Sequence, residues 1–269
     1  MKECKHEELK LEILKLGGSV VTFKDRCMTA NSDAIKRIAQ EISAAGGRGL
    51  VIVHGGGSYG HPLAKKHKIS DGYHSDTQLP GFSKTRQAMI QLNSIIVDAL
   101  LDENIPATSI NPSSFIVTDN KRIREIDFKI VNQYLKVGMV PVLYGDAVLD
   151  NERRFTILSG DQLAVRLATD LKAERLIYGV DVDGVYTANP KITTKAKLIE
   201  SLSLIQMKGL VEIGEALSTD VTGGMFGKVH EATYAVEAGV DVMILNALKP
   251  EYVYRALRGD RVVCTRLRR

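Results

Sequence analysis

A chain of 269 residues is long enough for one large α/β domain or two closely packed lobes, and it can bury a substantial core. With 44% apolar residues, 25% charged residues and 7 prolines, it lies among ordinary globular compositions, away from disordered, collagen-like or fibrous ones. Thirty-six Lys and Arg against 32 Asp and Glu leave a net charge of +4, too dispersed for the basic stripe of a nucleic-acid binder and compatible with an anionic small molecule.

Cys4, Cys27 and Cys264 are odd in number and far apart, which argues against a disulfide framework or a zinc knuckle and points to a reducing, cytoplasmic setting. The N-terminal segment carries charges where an export signal needs apolar residues, and no 18-residue apolar run occurs. Neither export nor membrane insertion is expected.

Taken in order, the chain alternates β-rich runs with amphipathic stretches. A strand at Leu11 to Leu16 is followed by a helix at Asp33 to Ala45, a strand at Gly49 to Val53 and a long helix at Ser83 to Glu103. Strands at Ala107 to Ile110 and Val140 to Tyr144 flank a helix at Phe128 to Val137. Next come a helix at Asp161 to Leu171, a strand at Arg175 to Tyr178, a helix at Phe226 to Ala238, a strand at Val242 to Leu245, a helix at Glu251 to Leu257 and a strand at Val262 to Thr265. The alternation is that of βαβ units, so the fold class is α/β with one broad, mostly parallel sheet of roughly eight strands. Asp119 to Ile126 and Ala147 to Ile157 break the rhythm as hairpin-like excursions. No repeat or long linker marks a boundary. A division near Asp170, into an acceptor-binding lobe (1–170) and a nucleotide-binding lobe (171–269), is compatible with the pattern.

Four turns favour anions. Lys15-Leu16-Gly17-Gly18-Ser19 places a cation and two glycines after the first strand, where backbone N–H groups can approach a phosphate. His54-Gly55-Gly56-Gly57-Ser58-Tyr59-Gly60-His61 is too rich in glycine to serve stability, so something must approach its backbone closely. Ser159-Gly160-Asp161 reads as a helix start with its cap. Thr222-Gly223-Gly224-Met225-Phe226-Gly227-Lys228 puts a lysine in a first helical turn, against the macrodipole, which a bound anion would explain. Each turn also has a plain structural reading as a strand end or cap. A GxGxxG match at Gly55 to Gly60 lacks the acidic residue of a dinucleotide site about 20 residues on, and GxxxxGK[ST] is absent.

These turns, in this order and with Asp181-Val182-Asp183-Gly184-Val185-Tyr186, resemble the amino acid kinase superfamily over essentially the whole chain. That resemblance implies a three-layer αβα sandwich. The His61 signature, with Val20 to Lys24 and Tyr144-Gly145-Asp146, is similar to the branch that phosphorylates isopentenyl phosphate to isopentenyl diphosphate, a step of isoprenoid biosynthesis. It implies ATP and Mg²⁺ as cofactors, with the ion held mainly by phosphate oxygens and water and by no protein ligand. A homodimer formed through the N-terminal half is implied as well.

Phosphoryl transfer between two polyanions needs positioning and charge neutralisation rather than a covalent nucleophile. The resemblance assigns Lys15 and Lys228 to the ATP phosphates and Lys24 to the transition state. It assigns Gly17, Gly18, Ser19, Gly57, Asp181 and Gly224 to the nucleotide, and Gly56, Gly160 and His61 to the acceptor. Asp161, unsuited to facing a phosphate, is expected to hold the lysines. His61 is expected to donate to the acceptor phosphate, whose charge favours the imidazolium. Phe82, Met89, Ile90, Ile95 and Ile96 could line an apolar pocket or belong to the core. Three rivals stay open: a phosphonate, uridylate or acyl kinase of the same superfamily, a regulatory nucleotide-binding module, and a dehydrogenase.

Overall fold

The first apolar run becomes β1 (Glu12–Leu16), with Ile13 to Leu16 all buried. In the computed structural model, which describes residues 10–124, 126–216 and 223–269, it continues through α1 (Gly18–Val21), α2 (Ser32–Ala44), β2 (Leu50–His54), α3 (Gly57–Lys66) and α4 (Leu79–Asp102). There follow β3 (Ala107–Ser109), β4 (Val117–Asp119), β5 (Arg122–Ile123), α5 (Lys129–Lys136), β6 (Val140–Tyr144), β7 (Asp146–Asp150), β8 (Arg154–Leu158), α6 (Gly160–Asp170) and β9 (Arg175–Val180). The last elements are β10 (Ser201–Ser203), α7 (Leu204–Ala216), α8 (Gly223–Glu237), β11 (Asp241–Asn246), α9 (Tyr252–Arg258) and β12 (Cys264–Arg268).

The main sheet has eight strands in the order β10-β12-β11-β9-β1-β2-β6-β3. All its pairings are parallel except that of β11 with β12. Successive residues alternate between its faces, as the strand period of two requires. Ile13, Val51, Leu143 and Val242 enter one core with helices α5, α6 and α8. Leu14, Leu16, Ile52 and Met243 enter the other with α2, α4 and α9. This is the three-layer αβα sandwich, with β1 near the centre of the middle layer.

The two excursions pair into a second sheet, β5-β4-β7-β8. Asp150 braces it, accepting from the Thr118 hydroxyl at 2.7 Å and from the N–H groups of Lys121, Glu152 and Arg153. Its apolar side gathers Ala147 and Phe155 with Ala64 and Ile69, and Tyr73, Phe82 and Ile157 pack against them.

Four elements lie outside the sequence expectation. The short α1 and α3 begin within the glycine turns, β10 fills the eighth place in the sheet, and α7 lacks an amphipathic period. The last strand starts two residues later than expected, because pairing with β11 begins at Cys264 opposite Leu245. Of the candidate pocket residues, Met89 and Ile96 are core, whereas Phe82 belongs to the small cluster beside the second sheet. Thr222, at the start of the fourth turn, lies outside the described residues.

Candidate active site

Parallel pairing of β1 with β2 sets Lys15 opposite Val53 and Leu16 opposite His54, so both glycine turns leave the sheet at one edge. The turns close on each other. Gly55 N–H donates to the Leu16 carbonyl at 2.9 Å, and Gly17 N–H donates to Gly179 of β9 at 2.8 Å. A Cβ on Gly18 would stand 2.4 Å from the Gly57 nitrogen. Gly57 has φ +46°, and a Cβ there would meet the Thr22 hydroxyl at 2.0 Å. What approaches this backbone is therefore first of all the other turn. Thr22 stitches them, its hydroxyl donating to the Gly18 carbonyl at 2.7 Å and accepting from Ser58 N–H at 3.0 Å.

Among the described residues, no acceptor in the chain meets the N–H groups of Gly18, Gly56, Gly57 or Gly160. Such orphan donors at helix starts form a ready seat for an anion. Ser159 caps α6 by accepting from Asp161 N–H at 3.2 Å.

Asp161 stands between two cations. Its Oδ1 is 2.7 Å from Lys15 Nζ, and its Oδ2 is 3.0 Å from Lys228 Nζ. Lys15 is only 4% exposed. Burial lowers its pKa, Asp161 opposes this and Lys228 adds to it, and the ammonium is pushed down to about 8. Burial would raise the Asp161 carboxyl, but Lys15 and Lys228 together hold it below the usual carboxylate range. Lys228, which falls in the second turn of α8 rather than in the first turn expected because the helix already begins at Gly223, is thus offset in part by a protein carboxylate, not by a ligand alone. Lys228 Nζ also donates to the Gly224 carbonyl at 3.4 Å.

Lys24 lies in the loop between α1 and α2. Pro62, inside α3, has no N–H to give the Ser58 carbonyl, which accepts instead from Met28 N–H at 3.2 Å and ties that loop to α3. The Lys24 ammonium is exposed and 3.5 Å from Asp181 Oδ2, a carboxylate shared with Lys191. Burial raises the Asp181 carboxyl, but Lys191, Lys24 and Ser19 together lower it.

His61 lies on α3, within the helix rather than in an open loop, and is solvent-exposed. Although the side chain keeps solvent contact, partial loss of hydration lowers the pKa of its ring, and Lys15, Lys228 and Lys24 lower it further against the pull of Asp161. In the protein alone it is therefore held toward the neutral form, opposite to the charged form expected with a phosphate in place. Lys15, Lys228, Asp161 and Lys24 all lie close enough to act on the His61 ring through their charge.

The sequence reading gave no task to Asn93, Asp146 or Arg86 beside the turns, of which the first two are buried and the third is half-buried. Asn93, on the inner face of α4, contacts the His54 ring, which stacks on Tyr144 at 5.3 Å. The signal was present as an Asn within an apolar stretch, four positions from the buried Met89. Arg86 and Asp146, 3.7 Å apart, form another pair beneath the same edge.

A lysine–carboxylate–lysine bridge beside converging glycine turns, on a mostly parallel αβα sandwich, has the charge and the free donors to hold phosphates. The chain belongs to the amino acid kinase family, whose model matches residues 10–246. Within that family it groups with the isopentenyl phosphate kinases. It is 45% identical to that enzyme of Methanothermobacter thermautotrophicus over 95% of this chain and 98% of the relative. It is 38% identical to that of Methanocaldococcus jannaschii over 93% and 96%. A crystal structure of an isopentenyl phosphate kinase superposes with a TM-score of 0.84 at 42% identity, covering 96% of this chain and 99% of that one.

Proposed function

We propose that the protein transfers the γ-phosphoryl group of ATP to isopentenyl phosphate, giving ADP and isopentenyl diphosphate. The observation that carries this reading is the Asp161 carboxylate holding Lys15 and Lys228 beside unpaired N–H groups at the turns of β1, β2 and α6. In this reading Lys15 and Lys228 neutralise the ATP phosphates, with Gly17, Gly18, Ser19, Gly57, Asp181 and Gly224 around the nucleotide. Asp161 fixes both ammonium groups. Lys24 leaves Asp181 for the transferred group, where it offsets charge that develops in the transition state.

The acceptor phosphate lies against Gly56, Gly160 and His61. A dianion there raises the His61 pKa, so binding brings a proton and lets both ring nitrogens donate. The apolar cluster of Phe82, Phe155 and Ile157 supplies a dry surface beside α3 and α4 for the prenyl tail. Asp161 is engaged by Lys15 and Lys228, and Mg²⁺ in this reading arrives with the nucleotide, held mainly by phosphate oxygens and water. Residues 1–170 form the acceptor lobe and 171–269 the nucleotide lobe of one shared sheet. Val117 and Leu149, paired across the second sheet and exposed, suit a homodimer formed through the N-terminal half. No described helix is long and apolar enough to cross a membrane, and a cytoplasmic setting is proposed.

The test is ADP release from Mg·ATP with isopentenyl phosphate, run beside fosfomycin, UMP and N-acetylglutamate. Saturable turnover on isopentenyl phosphate is expected, and His61→Ala should lower kcat/KM for it about a hundredfold, the scale of losing one donor to a developing oxyanion. ATP affinity and melting temperature should stay near wild type. Turnover on another acceptor only would overturn the assignment.

A further inference from the structure

We propose that His54 is a positioning residue for the acceptor: its ring, locked in one tautomer by Asn93, holds the Gly55–Gly56 peptide so that the Gly56 N–H faces the acceptor phosphate. The inference rests on the acceptor seat proposed above and assigns a task to a side chain that the transfer chemistry does not itself use.

His54 ends β2 and is fully buried. Its Nδ1 lies 3.1 Å from the carbonyl oxygen of Gly55. That oxygen can only accept, so Nδ1 carries the hydrogen. Its Nε2 lies 3.2 Å from Nδ2 of Asn93, itself 1% exposed. The amide nitrogen can only donate, so Nε2 presents its lone pair. One neutral tautomer meets both demands. Burial, opposed by the Gly55 contact and assisted by Lys15, lowers the ring pKa to about 4, which keeps it neutral under ordinary conditions.

In a trans peptide the carbonyl of one residue and the N–H of the next point in opposite directions, and no cis peptide occurs among the described residues. A Gly55 carbonyl held by the ring therefore turns the Gly56 N–H away from it, at the start of α3, where no described acceptor in the chain meets it. Two adjacent glycines have no side chains to hold that peptide plane, so the orientation has to come from outside the turn. The ring is itself fixed. Tyr144 stacks on it at 5.3 Å with planes 29° apart, and the Tyr144 hydroxyl donates to Asn111 Oδ1 at 2.7 Å. The His54 carbonyl accepts from Gly145 N–H at 3.1 Å, and a Cβ on Gly160 would stand 3.3 Å from the same oxygen.

The first test is a long-range proton–nitrogen correlation on the full-length protein with ¹⁵N-labelled histidine, the His54 signals being assigned by their loss in His54→Asn. A protonated Nδ1 with bare Nε2 is expected, whereas the opposite tautomer or an imidazolium at neutral pH overturns the proposal. The second is kinetic. His54→Leu should raise KM for isopentenyl phosphate about tenfold or more, the scale of a lost hydrogen bond to a charged group, and leave KM for ATP within about twofold. His54→Asn, whose Nδ2 stands where Nδ1 stood, should restore most of the acceptor KM while lowering the melting temperature as much as His54→Leu. If the Asn variant is no better than the Leu variant, or both KM values rise together, His54 serves packing alone. Should His54→Leu fail to fold, Asn93→Leu replaces it, with a mixture of tautomers and a smaller rise in acceptor KM expected; an unchanged tautomer and KM there would overturn the role of Asn93. Absence of turnover by the wild-type protein would overturn the acceptor reading, which the tautomer measurement does not touch.

Discussion

Nucleotide binding should draw a proton into the protein, and Lys15 is where it goes. Burial, with Lys228 adding to it against the pull of Asp161, brings the ammonium from 10.5 to about 8, which disfavours the charged form by about 3 kcal/mol. At about pH 8 half of the free molecules then hold Lys15 neutral, and at about pH 9 roughly nine in ten do. A triphosphate beside the group restores its charge, so each binding event takes up about half a proton at the first pH and close to one at the second. Titration calorimetry with ATP, repeated in two buffers of different ionisation enthalpy, reads the uptake directly. Lys15→Met should abolish it in that range. Equal heats in the two buffers between about pH 7.5 and 9, or the same uptake in Lys15→Met, would refute the reasoning. The same shift has a sign for stability. The folded value lies below the unfolded one, so the penalty is complete below about pH 8 and relaxes as pH rises toward 10.5, where the unfolded chain binds the extra proton.

Asp161→Asn leaves Lys15 buried beside Lys228 with no counter-charge; turnover should fall at least a hundredfold, and thermal or urea unfolding should show a loss of about 3 kcal/mol, the scale of a broken buried ion pair. Gly57→Ala places a methyl group 2.0 Å from the Thr22 hydroxyl at a φ of +46°, so it should destabilise the fold by about 2 kcal/mol or more by the same measurements. A melting temperature equal to wild type for Gly57→Ala would mean the two turns are not in register as described.

The layered fold was legible because strand runs of period two and amphipathic helices alternate so regularly. Seven of the eight strands of the main sheet follow from that pattern. The eighth, Ser201–Ser203, is too short and too polar to announce itself and exists because β12 offers it an edge. The site was legible as a set of turns, since Lys15, Asp161 and Lys228 all stand beside glycine or cap residues. The expectation that Asp161 holds the lysines agrees with the geometry, but the burial of Lys15 was not legible, because only the fold encloses a residue that the sequence sets beside an open turn. Nor did spacing show that Gly18 and Gly57 face each other, so glycines credited to ligand approach first satisfy mutual approach. For His61 the resemblance supplied the position, while the loss of hydration and the surrounding lysines that favour its neutral form in the protein alone come from the fold.

The back-to-back turns of Gly18 and Gly57 bear on how such a protein can change its substrate. Their spacing is a contact between two main chains, so in the proposed reading the interval between donor and acceptor is set where the chain leaves β1 and β2. The apolar surface proposed for the acceptor's tail comes from elsewhere, from Phe82 on α4 and from Phe155 and Ile157 on the small second sheet. Side chains such as Phe82 and Phe155 can therefore vary in size while the interval between donor and recipient stays constant. A change in the turns has no such freedom, because a Cβ on either glycine would push the two turns apart. The molecule separates a fixed gauge from an adjustable mould, and new acceptors would be won in the mould.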